Sequence, residues 1–305
     1  MTLPLLDLCP SISLSWPHRS HQLAKTKNIM SVFKPGNVAL ITGGASGIGR
    51  AIANLCLSKK MHVAIVDSNS ESTKAFVHES RAKYPEAIID GYPEDTSNLP
   101  GWSLLKADFR KRFKRIDLLV LNAAVSHKSD WKDPTCFIKM FDVNVLGYLH
   151  GICTFFDEIT ASNPENPKAI VLTGSKQGIT NPPGNPAYNA SKAAVKSIAE
   201  SLHFDLRDNA STSVHLLVPG WTHTGMSRSE EKPPGAWAPE QVADYLAEKM
   251  DTGDFYVICP DNEVDEETDK KRMLWGAGDI VERRPPLSRW REDWREKAAE
   301  AINKP

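Results

Sequence analysis

The 305-residue chain sets 37 Lys and Arg against 38 Asp and Glu, a net charge of -1, so it carries no basic field for nucleic acid. It is 41% hydrophobic and 25% charged, ordinary for a globular protein. No run approaches the roughly 18 apolar residues of a membrane span. Five cysteines (Cys9, Cys56, Cys136, Cys153, Cys259) are scattered without a Cys-x-x-Cys pattern. They argue for a reducing compartment, read here as the cytoplasm, and against a disulfide or metal framework.

Residues 1–33 differ from the rest. Leu3 to Leu14 is apolar but broken by Pro4, Asp7 and Pro10, without the basic start of a secretion signal. The segment reads as a disordered extension, or as sequence upstream of a start at Met30. Residues 34–260 read as one large domain and 261–305 as a C-terminal extension.

Val38 to Ile41 is a short buried strand that runs into Thr42-Gly43-Gly44-Ala45-Ser46-Gly47-Ile48-Gly49 and then a helical pattern. Strand, glycine turn and helix together let a backbone approach a pyrophosphate, whose charge meets the helix N-terminus. Met61 to Val66 is a second strand ending in Asp67, 18 residues after Gly49. A carboxylate there accepts adenosine ribose hydroxyls and repels a 2′-phosphate, so NAD is expected over NADP. A helix cap would use the same carboxylate.

The alternation continues with a helix over Glu71–Lys83, a strand over Ala87–Asp90, a helix over Trp102–Phe113 and a strand over Ile116–Leu121 that ends at Asn122-Ala123-Ala124. A long helix over Phe137–Phe156 carries Asn144. The strand Ala169–Thr173 is followed by Ser175, and the helix Ser191–Leu206 by the strand Val214–Val218, which ends at Pro219-Gly220. Phe255–Cys259 is the last strand. Seven short apolar strands alternating with helices predict an α/β fold, a single doubly wound Rossmann-type domain with a parallel seven-stranded sheet. Ligands of such sheets sit at the carboxyl ends of the strands, where Gly43, Asp67, Asn122, Ser175 and Gly220 all fall.

Tyr188 and Lys192 are four apart, one turn above the other on a helix face. An ammonium group near a phenol favours the phenolate, so Lys192 is expected to lower the pKa of Tyr188 and make it a usable acid/base. Alone, the pair fits a solvated helix face equally well.

In order and spacing, Thr42-Gly43-x-x-x-Gly47-x-Gly49, Asn122-Ala123-Ala124, Asn144, Ser175, Tyr188, Lys192 and Pro219-Gly220 with Thr224 resemble the short-chain dehydrogenase/reductase family. The likeness covers roughly Pro35 to Pro260. Ala124 replaces the family's usual Gly, and Leu121 the first Asn of its usual pair. Trp221-Thr222-His223 also departs from the common pattern.

The resemblance implies a hydride-transfer site. Tyr188 would be the general acid/base, Lys192 would hold the nicotinamide ribose, Ser175 would bond the substrate oxygen, and Asn144 would anchor a proton-relaying water. It implies a cofactor held by Gly43, Ser46, Gly47, Ile48, Gly49, Asp67, Asp95, Asn122, Ala123, Tyr188, Lys192, Pro219, Gly220, Thr222 and Thr224, with no metal. A turn would use Asp95 equally well. It further implies a homodimer or homotetramer and a small-molecule substrate.

Trp131, Trp221, Met226 and Trp237 suggest a sizeable apolar substrate, although one or two could simply be core. After Asp261 the chain turns from acidic to basic at Lys270-Lys271-Arg272. Ser288 is expected to cap an amphipathic helix carrying Trp290, Trp294, Ala298 and Ile302. The expected activity is NAD(H)-dependent interconversion of a secondary alcohol and a ketone. The alternatives are an NADPH-dependent ketoreductase of acyl-carrier or polyketide type and, in another class, a redox-silent dinucleotide sensor or scaffold.

Overall fold

The computed structural model describes residues 31–163, 165–227 and 230–303. β1 (Val38–Thr42) leads into α1 (Gly47–Ser58), and β2 (His62–Val66) into α2 (Ser70–Lys83). β3 (Ile89–Tyr92) precedes α3 (Leu99–Arg112). After β4 (Leu118–Leu121) come α4 (Thr135–Phe141), a π-helical turn over Asp142–Leu146, and α5 (Gly147–Thr160). β5 (Lys168–Thr173) is followed by the one-turn α6 (Gln177–Thr180) and by α7 (Pro186–Asp205). β6 (Thr212–Val218), α8 (Pro239–Thr252) and β7 (Tyr256–Ile258) complete the alternation.

All pairings are parallel, in the order β3-β2-β1-β4-β5-β6-β7. The expected doubly wound sheet forms, and its order reverses between β1 and β4, where such sheets open a crevice. Successive strand residues point to opposite faces. Ala39, Ile41, Val63, Ile65, Leu118 and Val120 therefore pack beneath α1, α2 and α8, with Ile52, Phe76 and Leu246. Leu40, Val66, Leu119, Leu121, Ile170 and Leu172 face α3, α5 and α7, meeting Trp102, Phe155 and Val195. Both faces are covered, so the strands read as continuous apolar runs rather than alternating ones.

Differences from the sequence reading have local causes. α3 starts at Leu99 because Pro100 fits a first helical turn. α7 starts at Pro186 for the same reason, which puts Tyr188 in its first turn. The single helix expected over Phe137–Phe156 is instead interrupted by the π turn at Asn144. Residues 1–30 of the expected extension lie outside the described residues. Val32, assigned to that extension, is buried in the core and accepts a bond from Asn37.

Beyond β7 the chain forms α9 (Glu266–Val281), which the sequence reading did not anticipate, opened by Asp265 accepting from the Thr268 amide. The helix expected from Ser288 to Ile302 is divided. Two 3-10 turns, Ser288–Trp290 and Glu292–Trp294, meet at an extended Arg291 before α10 (Arg295–Asn303). Ser288 is buried and bonds Asp279 and Trp275 instead of capping a helix.

At the amino end of the sheet, fully buried Asp117 accepts from the Val38 amide at 2.9 Å, Arg115 at 2.8 Å and Asn166 at 2.6 Å. Asp117→Ala strands these donors and is expected to cost about 3 kcal/mol in urea unfolding. A loss below about 0.5 kcal/mol would remove Asp117 from the determinants of this edge.

Candidate active site

The carboxyl edge of the sheet is threaded by hydrogen bonds between strand ends. The Thr42 hydroxyl accepts from the amides of Asn122 and Ala123 at 2.8 and 3.0 Å. The Asn122 side chain donates to the Thr42 carbonyl at 3.2 Å and accepts from the Thr173 hydroxyl at 3.3 Å. The glycine loop is thereby tied to β4 and β5. Gly49 sits so close that a Cβ there would lie 2.2 Å from the Gly43 carbonyl oxygen, and Gly47 holds a positive φ of 51°. Ser46 makes no side-chain cap on α1, and no acid stands in the first turn of that helix. The first amides of α1 are thus open to an anion.

Asp67 ends β2. Its carboxylate accepts from the Ala45 amide at 3.1 Å and the Asn69 amide at 3.0 Å, which fixes it beside the loop. Asp95 closes a turn in which one oxygen takes both the amide and the hydroxyl of Ser97. Pro219 to Thr224 crosses the same edge. Thr224 would contact a Cβ on Gly47 at 3.2 Å, Thr222 donates to the Gly220 carbonyl, and the Trp221 amide donates to Asp261. Trp131, Trp221 and Met226 are 80%, 43% and 45% exposed, so they are free to meet a ligand. Trp237 instead packs into the core against Tyr245.

Lys192 is buried, with Nζ donating to the Thr173 carbonyl at 2.8 Å and to the Tyr148 hydroxyl at 3.5 Å, and it lies 5.8 Å from the Tyr188 ring centroid. Ser175 lies near enough to the Tyr188 phenol to favour its ionised form. Asn144 is fully buried. Its amide group donates to the Val125 carbonyl and the Ser191 hydroxyl, both at 3.0 Å, and its oxygen accepts from the Val125 amide at 2.8 Å. Both Asn144 amide hydrogens are therefore committed to bracing the loop after β4 against α7. The structure brings Ser175, Tyr188 and Lys192 together, with Asn144 behind them.

Burial dominates the electrostatics. It pushes Lys192 down to about 7, because the ammonium has lost water and gained no carboxylate. Burial also raises Tyr188, and the nearby Ser175 opposes that only partly. This corrects the expectation that Lys192 by itself would depress the phenol. Loss of water penalises ammonium and phenolate alike, so the isolated pair is poised toward neutral partners.

Residues 37–234 match the short chain dehydrogenase family. The chain is a short-chain dehydrogenase. It is 30% identical to Homo sapiens 15-hydroxyprostaglandin dehydrogenase (NAD(+)), over 65% of this chain and 72% of that protein. It is 29% identical to 3alpha-hydroxysteroid dehydrogenase of Mediterraneibacter gnavus, over 65% of this chain and 78% of that one. A Burkholderia phymatum short chain dehydrogenase/reductase solved with NAD superposes with a TM-score of 0.75 at 27% identity, covering 84% of this chain and 98% of that one. The dehydrogenase is thus an oxidoreductase of a family acting on CH-OH groups.

Several residues that build the dehydrogenase's site carried no readable sequence signal. Thr173 and Tyr148 receive Lys192, but through a carbonyl and a core phenol. Lys176, next to Ser175, pairs with Asp261 at 3.4 Å and Asp269 at 2.5 Å. Burial raises Asp269 while Lys176 opposes it. Spacing could not show that an acidic run 85 residues away in sequence closes on the Ser175 loop.

Lys192 has a stability signature. Below pH 7 both states bind its proton. Between about 7 and its unfolded value near ~10.4 only the unfolded state does, so stability rises with pH in that window. Urea unfolding of the cofactor-free protein should show a rise from pH 7 to 9.5 that Lys192→Met lacks, on the order of a few kcal/mol. Parallel curves for the two proteins would contradict a depressed Lys192.

Proposed function

We propose that this dehydrogenase interconverts a secondary alcohol and a ketone with NAD(H), with Tyr188 as the general acid/base. The observation that carries the reading is the Ser175–Tyr188–Lys192 cluster at the carboxyl edge of β5, with Ser175 near the phenol and Lys192 behind its ring. A proton-transfer group needs a partner to hold the reacting oxygen and a cation that can come and go near neutral pH. Ser175 meets the first need and Lys192, at about 7, the second.

The chain's donors fit a dinucleotide. The uncapped N-terminus of α1 and the close-packed glycines support pyrophosphate binding by Gly43, Ser46, Gly47, Ile48 and Gly49. Asp67 would take the ribose hydroxyls, Asn122 and Ala123 would border the adenosine half, and Pro219, Gly220, Thr222 and Thr224 would border the nicotinamide. Asp95 keeps one carboxylate oxygen outside its Ser97 turn for the adenine. Bound there, the dinucleotide supplies the hydride acceptor or donor. Tyr188 would take the proton from the alcohol or return it to the alkoxide, Ser175 would steady the developing charge, and Lys192 would hold the ribose. Asn144 would keep the loop in register, and a relay water would sit near it.

Preference for NAD rests on Asp67, and the human relative's NAD(+) dependence supports it. A solved neighbour with bound NADP supports the cofactor of the NADPH ketoreductase reading, which the Asp67 carboxylate opposes. Exposed Trp131, Trp221 and Met226 favour a sizeable apolar substrate, as the prostaglandin and steroid names of relatives also do. In this reading residues 34–260 carry the chemistry and 261–305 form an extension. Exposed Leu146, Phe156 and Phe204 on the π turn, α5 and α7 support a homodimer or homotetramer. Unpaired cysteines support a reducing cytoplasm.

Two variants test this. Tyr188→Phe should lower turnover by about a thousandfold or more with NADH affinity unchanged by fluorescence titration, and retained turnover would sink the proton-transfer role. Asp67→Ala with Ser68→Arg should reverse the NADH-over-NADPH preference. Unaltered affinity for both nucleotides would refute the assignment of Asp67.

A further inference from the structure

α9 and the turn after it lie beyond the span that matches the family. Against α6 they enclose a cavity of about 210 Å³. Its wall includes Arg272, Arg289, Trp275, Trp290, Ile179 and Leu287. Several cations of the extension have a carboxylate: Arg284 has Asp279, Lys270 has Glu267, and Arg291 has Asp293. Arg272 and Arg289 do not form an ion pair with any described carboxylate, and the buried Nε of Arg272 has no hydrogen-bond acceptor. Asp279, also on the wall, is already taken by Arg284 at 3.0 Å and by Ser288.

We propose that this cavity is a binding site for a small organic carboxylate with a flat apolar body, its oxyanion held by Arg272 and Arg289. Two guanidinium groups facing one half-buried space repel each other until an anion enters. The nearby Asp269, whose Oδ2 meets Lys176 at 2.5 Å, offsets this repulsion only in part. Burial, and after it the Arg272 charge, lower Arg289 from its ordinary value. The guanidinium fork matches a carboxylate through two parallel bonds. Apart from Thr180, Asn181 and Asp279 the remaining wall is aromatic and aliphatic, which suits a ring or short chain better than a bare hydrated ion. The volume is below that of drug-sized pockets of roughly 300–1,000 Å³, so the ligand is small.

The site is separate from the proposed cofactor site, and calorimetry can tell them apart. Sodium benzoate titrated into the full chain should bind saturably, with benzyl alcohol and inorganic phosphate each roughly tenfold weaker or more. Arg272→Gln and Arg289→Gln should each weaken benzoate by about tenfold or more while NADH affinity stays unchanged. Arg289→Gln serves as the second variant if Arg272→Gln fails to fold. Saturating NADH should leave benzoate binding intact. Displacement by NADH would place the anion at the glycine loop and overturn the proposal. Unchanged binding in a folded variant, or no saturable binding, would overturn it too. Equal affinity for phosphate would overturn the apolar ligand body. None of these outcomes depends on whether the protein turns over an alcohol.

Discussion

The arrangement at the carboxyl edge depends on burying one lysine. Lys192 loses nearly all contact with water and receives one good neutral acceptor, the Thr173 carbonyl at 2.8 Å. The faces of Tyr148 and Tyr188, at 5.4 and 5.8 Å, add a weak attraction. A full ammonium charge would normally require a carboxylate in such a place. None lies within ion-pair distance among the described residues, so the group is driven toward neutrality. What holds it is geometry. α7 carries it against β5, and Gly178 of α6 lies so close that a Cβ there would come within 2.5 Å of the Lys192 carbonyl carbon.

That geometry extends sideways through the strand ends. Thr173 offers its carbonyl to Lys192 and Tyr148 and its hydroxyl to Asn122, while Asn122 holds Thr42 at the mouth of the glycine loop. A shift at either end has to break a partly buried hydrogen bond, which makes the edge a rigid frame. The π turn serves the same frame from the other side. An inserted residue in a helix costs regular backbone bonding, and such turns persist where a side chain gains something specific. Here Asn144 gains Val125 and Ser191, so the loop after β4 and the helix bearing Tyr188 move together.

The fold was legible because both sheet faces are covered. Runs such as Val38–Ile41 and Ala169–Thr173 are then apolar without interruption, and the glycine loop and Pro186 punctuate the alternation. The nearness of Tyr188 to Lys192 was legible through their four-residue spacing, and Ser175 through the family resemblance. The direction of the Tyr188 shift was not, because it depends on how much water the fold removes, which periodicity does not encode. The π turn was hidden as well, since one extra residue barely disturbs an apolar pattern. In the extension, α9 is of mixed polarity, and its fully buried residue is the charged Asp269 rather than an apolar one. Trp290 and Trp294 mimicked a helical stripe although Arg291 between them is extended.

Paired charges also explain why the extension belongs to the site's frame. Asp261 stands just past β7, and one of its oxygens accepts both the Trp221 amide at 3.0 Å and Lys176 at 3.4 Å. The segment after Pro219-Gly220 and the loop after Ser175 therefore share a single carboxylate. Asp269 of α9 supplies the second charge that Lys176 needs to stay buried. Remove either acid and a lysine adjacent to Ser175 is left partly uncompensated, with solvation as its alternative. A lysine that turned outward would drag the Ser175 main chain with it, since the amides of Gln177 and Gly178 are bonded back to Ser175. The position of the hydroxyl that meets Tyr188 is thus set partly by residues far along the chain, beyond the last strand of the sheet.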